Sequence, residues 1–119
     1  MPFLGSYDAA NQVLTIVHLT IPPNARDYVN SMWKIQDNPF AGDVVNSYND
    51  GPASPGAKPL GPFYELESSS PAAALGPGET LGHIHTTIHI RGEEKALSQI
   101  AKKILGVEID EIKTVFKTK

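Results

Sequence analysis

Residues Gly82 to Leu105 constrain the fold most, because the spacing of apolar side chains changes period within them. From Gly82 to Ile90 the chain reads Gly-His-Ile-His-Thr-Thr-Ile-His-Ile and holds three of the four histidines. A strand sends successive side chains to opposite faces. His83, His85, Thr87 and His89 therefore share one face, and Ile84, Thr86, Ile88 and Ile90 share the other. From Glu93 to Leu105 the apolar positions Ala96, Leu97, Ile100, Ala101, Ile104 and Leu105 recur at helical spacing. Gly92 suits the N-cap. Glu93 and Glu94 favour the positive end of the helix, Lys102 and Lys103 the negative end, and Gly106 the position after the last turn. A strand with one apolar face, followed by a helix with one apolar stripe, buries both only if the helix lies on the sheet.

The rest of the chain supplies further strands. Gln12 to Thr20 is rich in β-branched residues and bounded by Asn11 and by Pro22-Pro23. Both of its faces are largely apolar, so burial on both sides is expected, with His18 packed or hydrogen-bonded. Tyr28 to Gln36 alternates until Asp37-Asn38-Pro39 stops it, and Asp43 to Gly51 forms a short strand running into an Asn-Asp-Gly turn. Pro52 to Leu60, with three prolines, reads as an irregular loop. Gly61 to Ser70 alternates again, and Ile109 to Phe116 suits either a short helix or a strand. The expected fold class is mainly β (α+β): an antiparallel β-sheet or sandwich with one C-terminal amphipathic helix packed on it. Its core should include Leu14, Ile16, Ile84, Ile88 and Ile90, facing Leu97, Ile100, Ile104 and Leu105.

At 119 residues and 40% apolar, the chain is read as a single domain, 1–119. Its net charge of -3 argues against a nucleic-acid partner, which requires a basic patch. With no cysteine, disulfides, thiolate metal sites and a thiol nucleophile are excluded. No apolar run reaches the length of a membrane span, and Met1 to Gly5 lacks the features of a secretory signal. Ser68-Ser69-Ser70 lies outside any Gly-x-Ser-x-Gly elbow, and Gly76-Pro77-Gly78 is not followed by Lys-Ser/Thr, so neither a serine hydrolase nor a phosphate loop is indicated.

In the run Gly61 to Ser70, Phe63, Glu65, Glu67 and Ser69 share a face. The loop Pro71 to Thr80 is rich in turn residues and can join this run to the histidine strand as an antiparallel pair. One register sets Glu67 opposite His83 and Glu65 opposite His85, giving a Glu/His patch on one sheet face. Imidazole titrates near neutral pH and ligates metals. Carboxylates and imidazoles also exchange hydrogen bonds and protons with sugar hydroxyls.

Three stretches together carry a resemblance: Gly42 to Pro52, Phe63 to Ala72, and Pro77-Gly78-Glu79-Thr80 with His83, His85 and His89. They resemble the C-terminal part of an uncharacterised bacterial family, DUF6786, of the galactose-mutarotase-like type. That resemblance implies a large antiparallel β-sandwich of which this chain is a fragment or a short relative. It also implies a link to carbohydrate and a periplasmic or exported location. In mutarotases a carboxylate and a histidine move protons between the ring oxygen and the anomeric hydroxyl. The residue types that match here are Glu65, Glu67, His83 and His85, the candidate catalytic set, and Trp33, Asn49, Asp50 and Arg91 are candidate ligand-binding residues. The segment Pro77-Gly78-Glu79-Thr80 followed by His83-x-His85 is also similar to a cupin metal motif, although the second cupin motif is missing.

Three readings stay open. The first is a carbohydrate-associated domain that binds sugar or transfers a proton at an anomeric centre. The second is a site for a divalent transition metal held by His83, His85, His89 and Glu67. The third is a structural β domain that forms a homo-oligomer through its sheet edges.

Overall fold

The computed structural model describes residues 2–32, 34–52 and 54–115, with five strands and two helices in the order β1 (Phe3–Asp8), β2 (Val13–Leu19), β3 (Val45–Asn49), β4 (Tyr64–Ser68), β5 (His85–Arg91), α1 (Glu94–Leu105) and α2 (Ile109–Thr114). The strands form two antiparallel sheets, one of order β1-β2-β5 and one pairing β3 with β4. The fold is α+β and mainly antiparallel sheet. The chain divides into two compact units, one built from the residues up to Leu19 together with those from Ile84 onward, the other spanning Thr20–His83.

In the first unit, β1 and β2 form a hairpin whose turn is set by Asp8. Its Oδ1 accepts from the backbone N–H of Ala10 (2.9 Å) and of Asn11 (3.1 Å), and its Oδ2 accepts from Asn11 Nδ2 (2.7 Å). These bonds, the Asn11 side chain's first, hold the Asp8 carboxyl below its ordinary range. Gln12 closes the turn with φ of 53°. The register places Gly5 opposite Ile16 and Tyr7 opposite Leu14. On the other side of β2, Ile90 lies opposite Leu14 and Ile88 opposite Ile16. The result is one apolar face, onto which the helices fold. Leu14, Ile16, Leu97, Ala101 and Ile109 form its buried core, with Tyr7, Ile90, Ile100, Ile104 and Leu105 packed around them.

Gly5 is required by that packing. A Cβ there would lie 2.7 Å from Leu105 Cδ1 and 2.6 Å from the Thr15 carbonyl oxygen. Glu94 pins the same face from its edge, accepting from Tyr7 OH at 2.9 Å and from Lys113 Nζ at 2.8 Å, and so tying α1 to β1 and α2. As expected, α1 ends at Gly106, which adopts the left-handed conformation (φ 81°) and donates its N–H to the Ala101 carbonyl at 3.2 Å. The N-cap is Glu93 rather than Gly92. The segment from Ile109 resolves as the helix α2.

Several expectations need correction. Phe3–Asp8 forms a strand that short, weakly alternating local sequence does not reveal. Among the described residues Tyr28 to Gln36 forms no strand, and of them only Tyr28 bridges, to Ala41. Asn30 Oδ1 accepts from the Met32 N–H at 3.1 Å and turns the chain out of extension. Ile84 and Ile88 remain 61% and 44% exposed, outside the core, because the helices cover the sheet at Leu14, Ile16 and Ile90 instead. The second helix, Ile109–Thr114, resolves the helix-or-strand alternative for that segment in favour of a helix, beside the one packed on the sheet. Lastly, β4 pairs with β3 and β5 with β2, so the anticipated register between the Glu run and the His run is not formed.

Candidate functional site

The pairing of β3 with β4 decides which side chains meet in the second unit. Asn46 lies opposite Glu67 and Tyr48 opposite Glu65. One rung further, the Asp50 N–H donates to the Phe63 carbonyl at 3.2 Å. Paired residues in an antiparallel ladder share a face, so Asn46, Tyr48, Asp50, Phe63, Glu65 and Glu67 line one face of this ribbon. Asn46 Nδ2 donates to Glu67 Oε2 at 3.1 Å. The rings of Tyr48 and Phe63 meet with centroids 5.9 Å apart and planes tilted by 36°. The Tyr48 hydroxyl donates to Asp50 Oδ1 at 2.9 Å, and Asp50 Oδ2 accepts from the Gly61 N–H at 2.7 Å. Asp50 thereby closes the Pro-rich loop and fixes the aromatic pair.

The two glutamates sit two residues apart on one face of β4 and interact directly. A hydrogen bond with Glu67, then partial desolvation and the like charge of Glu67, hold the Glu65 carboxyl above its ordinary range. Tyr48 is pushed up as well, first by its hydrogen bond to Asp50, then by desolvation and by the charges of Asp50 and Glu65. The face therefore combines two carboxyls, of which Glu65 has a raised pKa, with an amide and two aromatic rings.

The histidines lie elsewhere. His83 is half-buried, its Nε2 2.9 Å from Ser68 Oγ and its Nδ1 3.2 Å from Thr20 Oγ1. Ser68 is on the side of β4 opposite Glu67 by strand alternation. His85 and His89 belong to β5 in the other unit. His85 Nε2 lies 3.1 Å from Thr87 Oγ1, and His89 Nδ1 lies 2.9 Å from Thr15 Oγ1, opposite which it pairs. Of the candidate catalytic set, the structure brings Glu65 and Glu67 together and gives His83 and His85 other partners. Among the described residues no group of three or more His, Asp or Glu is positioned to hold a metal ion. Of the candidate ligand-binding residues, Asp50 belongs to the ribbon face and Asn49 points away from it. Arg91 ends β5 beside Val13. Trp33 lies outside the described residues. Asn46 and Tyr48 were not singled out from the sequence, although the alternation in Asp43 to Gly51 puts both on one face with Asp50.

The chain belongs to DUF6786, a family of unknown function, which it matches over residues 1–116. No curated protein and no solved structure matches it. No helix among the described residues is long and apolar enough to cross a membrane.

Proposed function

We propose that this member of DUF6786 binds carbohydrate on the Asn46–Glu67 face of the β3–β4 ribbon. One observation carries the reading: a carboxyl pair, Glu65 and Glu67, shares that face with an aromatic pair, Tyr48 and Phe63. A sugar is amphipathic. Its C–H faces need an apolar surface, and its hydroxyls need acceptors and donors whose positions are fixed. The ring pair offers the first. The carboxyls and the Asn46 amide, held by their mutual hydrogen bonds, offer the second. Phe63 is 41% exposed, so aromatic surface on that face is accessible without refolding.

The test is a titration of labelled protein with simple pyranoses, followed by amide chemical shifts. Glu67→Ala should weaken binding by about ten- to a hundredfold, the loss expected for a charged hydrogen-bond partner. Phe63→Ala should weaken it by about two- to tenfold through the lost stacking surface. Binding that survives both substitutions unchanged would remove the site from this face.

A second reading, proton transfer at an anomeric centre, is favoured by the direct hydrogen bond between the Glu65 and Glu67 carboxyls, which raises the pKa of Glu65. An acid and an acceptor side by side are what exchange between the ring oxygen and the anomeric hydroxyl requires. Polarimetric mutarotation at the buffer rate would eliminate it. A faster rate lost in Glu65→Gln would support it.

A further inference from the structure

Beside the ribbon, in the same unit, lies a cavity of about 300 Å³ lined by Asn30, Ser31, Met32, Gly42, Asp43 and Asn46. Its walls are fixed by the backbone. The Gly42 N–H donates to the Tyr28 carbonyl at 2.8 Å, and the Asn30 N–H donates to the Pro39 carbonyl at 2.8 Å. The approach at Gly42 is so close that a Cβ would lie 2.2 Å from the Val29 carbonyl oxygen. The Asn30 amide is anchored by the Met32 N–H, and Gln36 Nε2 donates to the carbonyls of Asn30 (3.2 Å) and Met32 (3.0 Å), which stiffens the rim. Asn46 belongs to both places, lining the cavity and donating to Glu67. The cavity and the carboxyl pair are therefore neighbours through one side chain.

Size and charge limit what can enter. A cavity of this volume is at the small end of ligand pockets, which run about 300–1,000 Å³, and suits one sugar ring rather than a chain. Two amides, a hydroxyl and a thioether line it together with the Asp43 carboxylate. No Lys, Arg or His is among the described lining residues. The carboxyls of Glu65 and Glu67 add to the negative potential next to it, and the like charge between them would be relieved by a cation.

Resting on the carbohydrate reading, we propose that the cavity and the carboxyl pair form one site, which takes a single pyranose carrying a free ammonium in preference to neutral or acidic sugars. The ammonium would lie toward Asp43 and Glu67, the ring between Met32 and the amides of Asn30 and Asn46.

The experiment titrates the full chain with glucosamine, glucose and glucuronate near neutral pH, at low and at high salt, following amide shifts. Glucosamine should bind roughly two- to fivefold tighter than glucose, the range for a partly solvated ion pair. The difference should shrink with salt, and glucuronate should bind weakest. Asp43→Asn, at an exposed position, should erase most of the preference for the amine over glucose. Glucuronate binding as tightly as glucosamine, or a preference for the amine unchanged in Asp43→Asn, overturns the proposal while the carbohydrate reading stands. If none of the three sugars shifts an amide of the ribbon, the carbohydrate reading fails and the proposal falls with it.

Discussion

Replacing Gly5 by Ala tests the packing of the first unit directly. In an ordinary strand the change would stabilise by about 0.4–1 kcal/mol, because alanine has fewer unfolded conformations to lose. Here the new methyl would lie 2.6 Å from the Thr15 carbonyl oxygen and 2.7 Å from Leu105 Cδ1. One contact is with the backbone of the central strand and cannot give cheaply. The other is with a side chain packed against the core. Overpacking of this kind costs about 1–3 kcal/mol, so the net loss should be about 1–2 kcal/mol. At this chain length that corresponds to a fall in Tm of about 4–8 °C. Urea unfolding followed by circular dichroism measures it. The partner experiment is the double-mutant cycle with Leu105→Ala. Removing the leucine leaves the contact with Thr15 but relieves the other, so the double mutant should be more stable than the sum of the singles predicts, by about 0.5–1 kcal/mol. A Gly5→Ala protein as stable as the parent would refute the register that seats Gly5 between Thr15 and α1. Strict additivity would refute the seat of Leu105.

The remaining predictions concern polar clamps. Lys113, and then Tyr7, hold the Glu94 carboxyl below its ordinary range, so the stability it contributes is present above the unfolded carboxylate pKa and is lost as pH falls through the folded one. Glu94 raises the pKa of Lys113 through a hydrogen bond, while burial and then the bond to Glu94 raise that of Tyr7. Their contributions are present below the unfolded values of 10.5 and 10.0 and are lost as pH rises through the folded ones. Glu94→Gln should therefore flatten both the acid and the alkaline limbs of the stability profile, and a profile parallel to the parent's would contradict the triad. His83→Ala removes the contacts to Ser68 and Thr20. It should speed hydrogen exchange at the Val45–Ser68 end of the ribbon by about tenfold, the worth of one hydrogen bond, with the β2 and α1 amides unaffected. Equal acceleration in both units would show that His83 supports the whole chain.

What was legible in the sequence was local. The period change at Gly92, the Gly106 cap and the β-branched run of β2 each depend on residues within a few positions of one another, and all appear in the structure. What escaped was the choice of partners. The loop Pro71 to Thr80 has the composition of a hairpin turn, yet β4 turns back to β3 across a long Pro-rich loop, since lengthening a loop adds little entropy cost and Asp50 closes it through the Tyr48 hydroxyl and the Gly61 N–H. Meanwhile β5 pairs with β2, where Ile88 and Ile90 meet Ile16 and Leu14. Alternation assigns a residue to a face correctly whichever neighbour the strand takes. It therefore put Glu65 and Glu67 together but could not say that Asn46 and Tyr48, rather than His83 and His85, would join them.

The two units also differ in how they are held, and the difference bears on function. The first has a continuous apolar core. In the second, Tyr28 is the buried hydrophobic side chain among the described residues, and Ile21, Met32, Phe40, Phe63, Tyr64 and Leu75 are all substantially exposed. Order there comes from side chains closing turns and rungs: Asp50 on Gly61, Asn30 on Met32, His83 between Ser68 and Thr20, Asn46 on Glu67. Each such bond contributes about 1 kcal/mol at most sites, so local opening of this unit should be cheaper than opening of the sheet and helices. Ligand-binding surfaces are commonly drawn from such low-stability regions. A ligand that spans Asn46 and Glu67 adds its binding free energy to the unit's own stability. Saturation with a bound sugar should therefore slow exchange across β3 and β4 far more than across β2. Protection spread evenly over both units would mean that the ligand stabilises the chain from somewhere other than the ribbon.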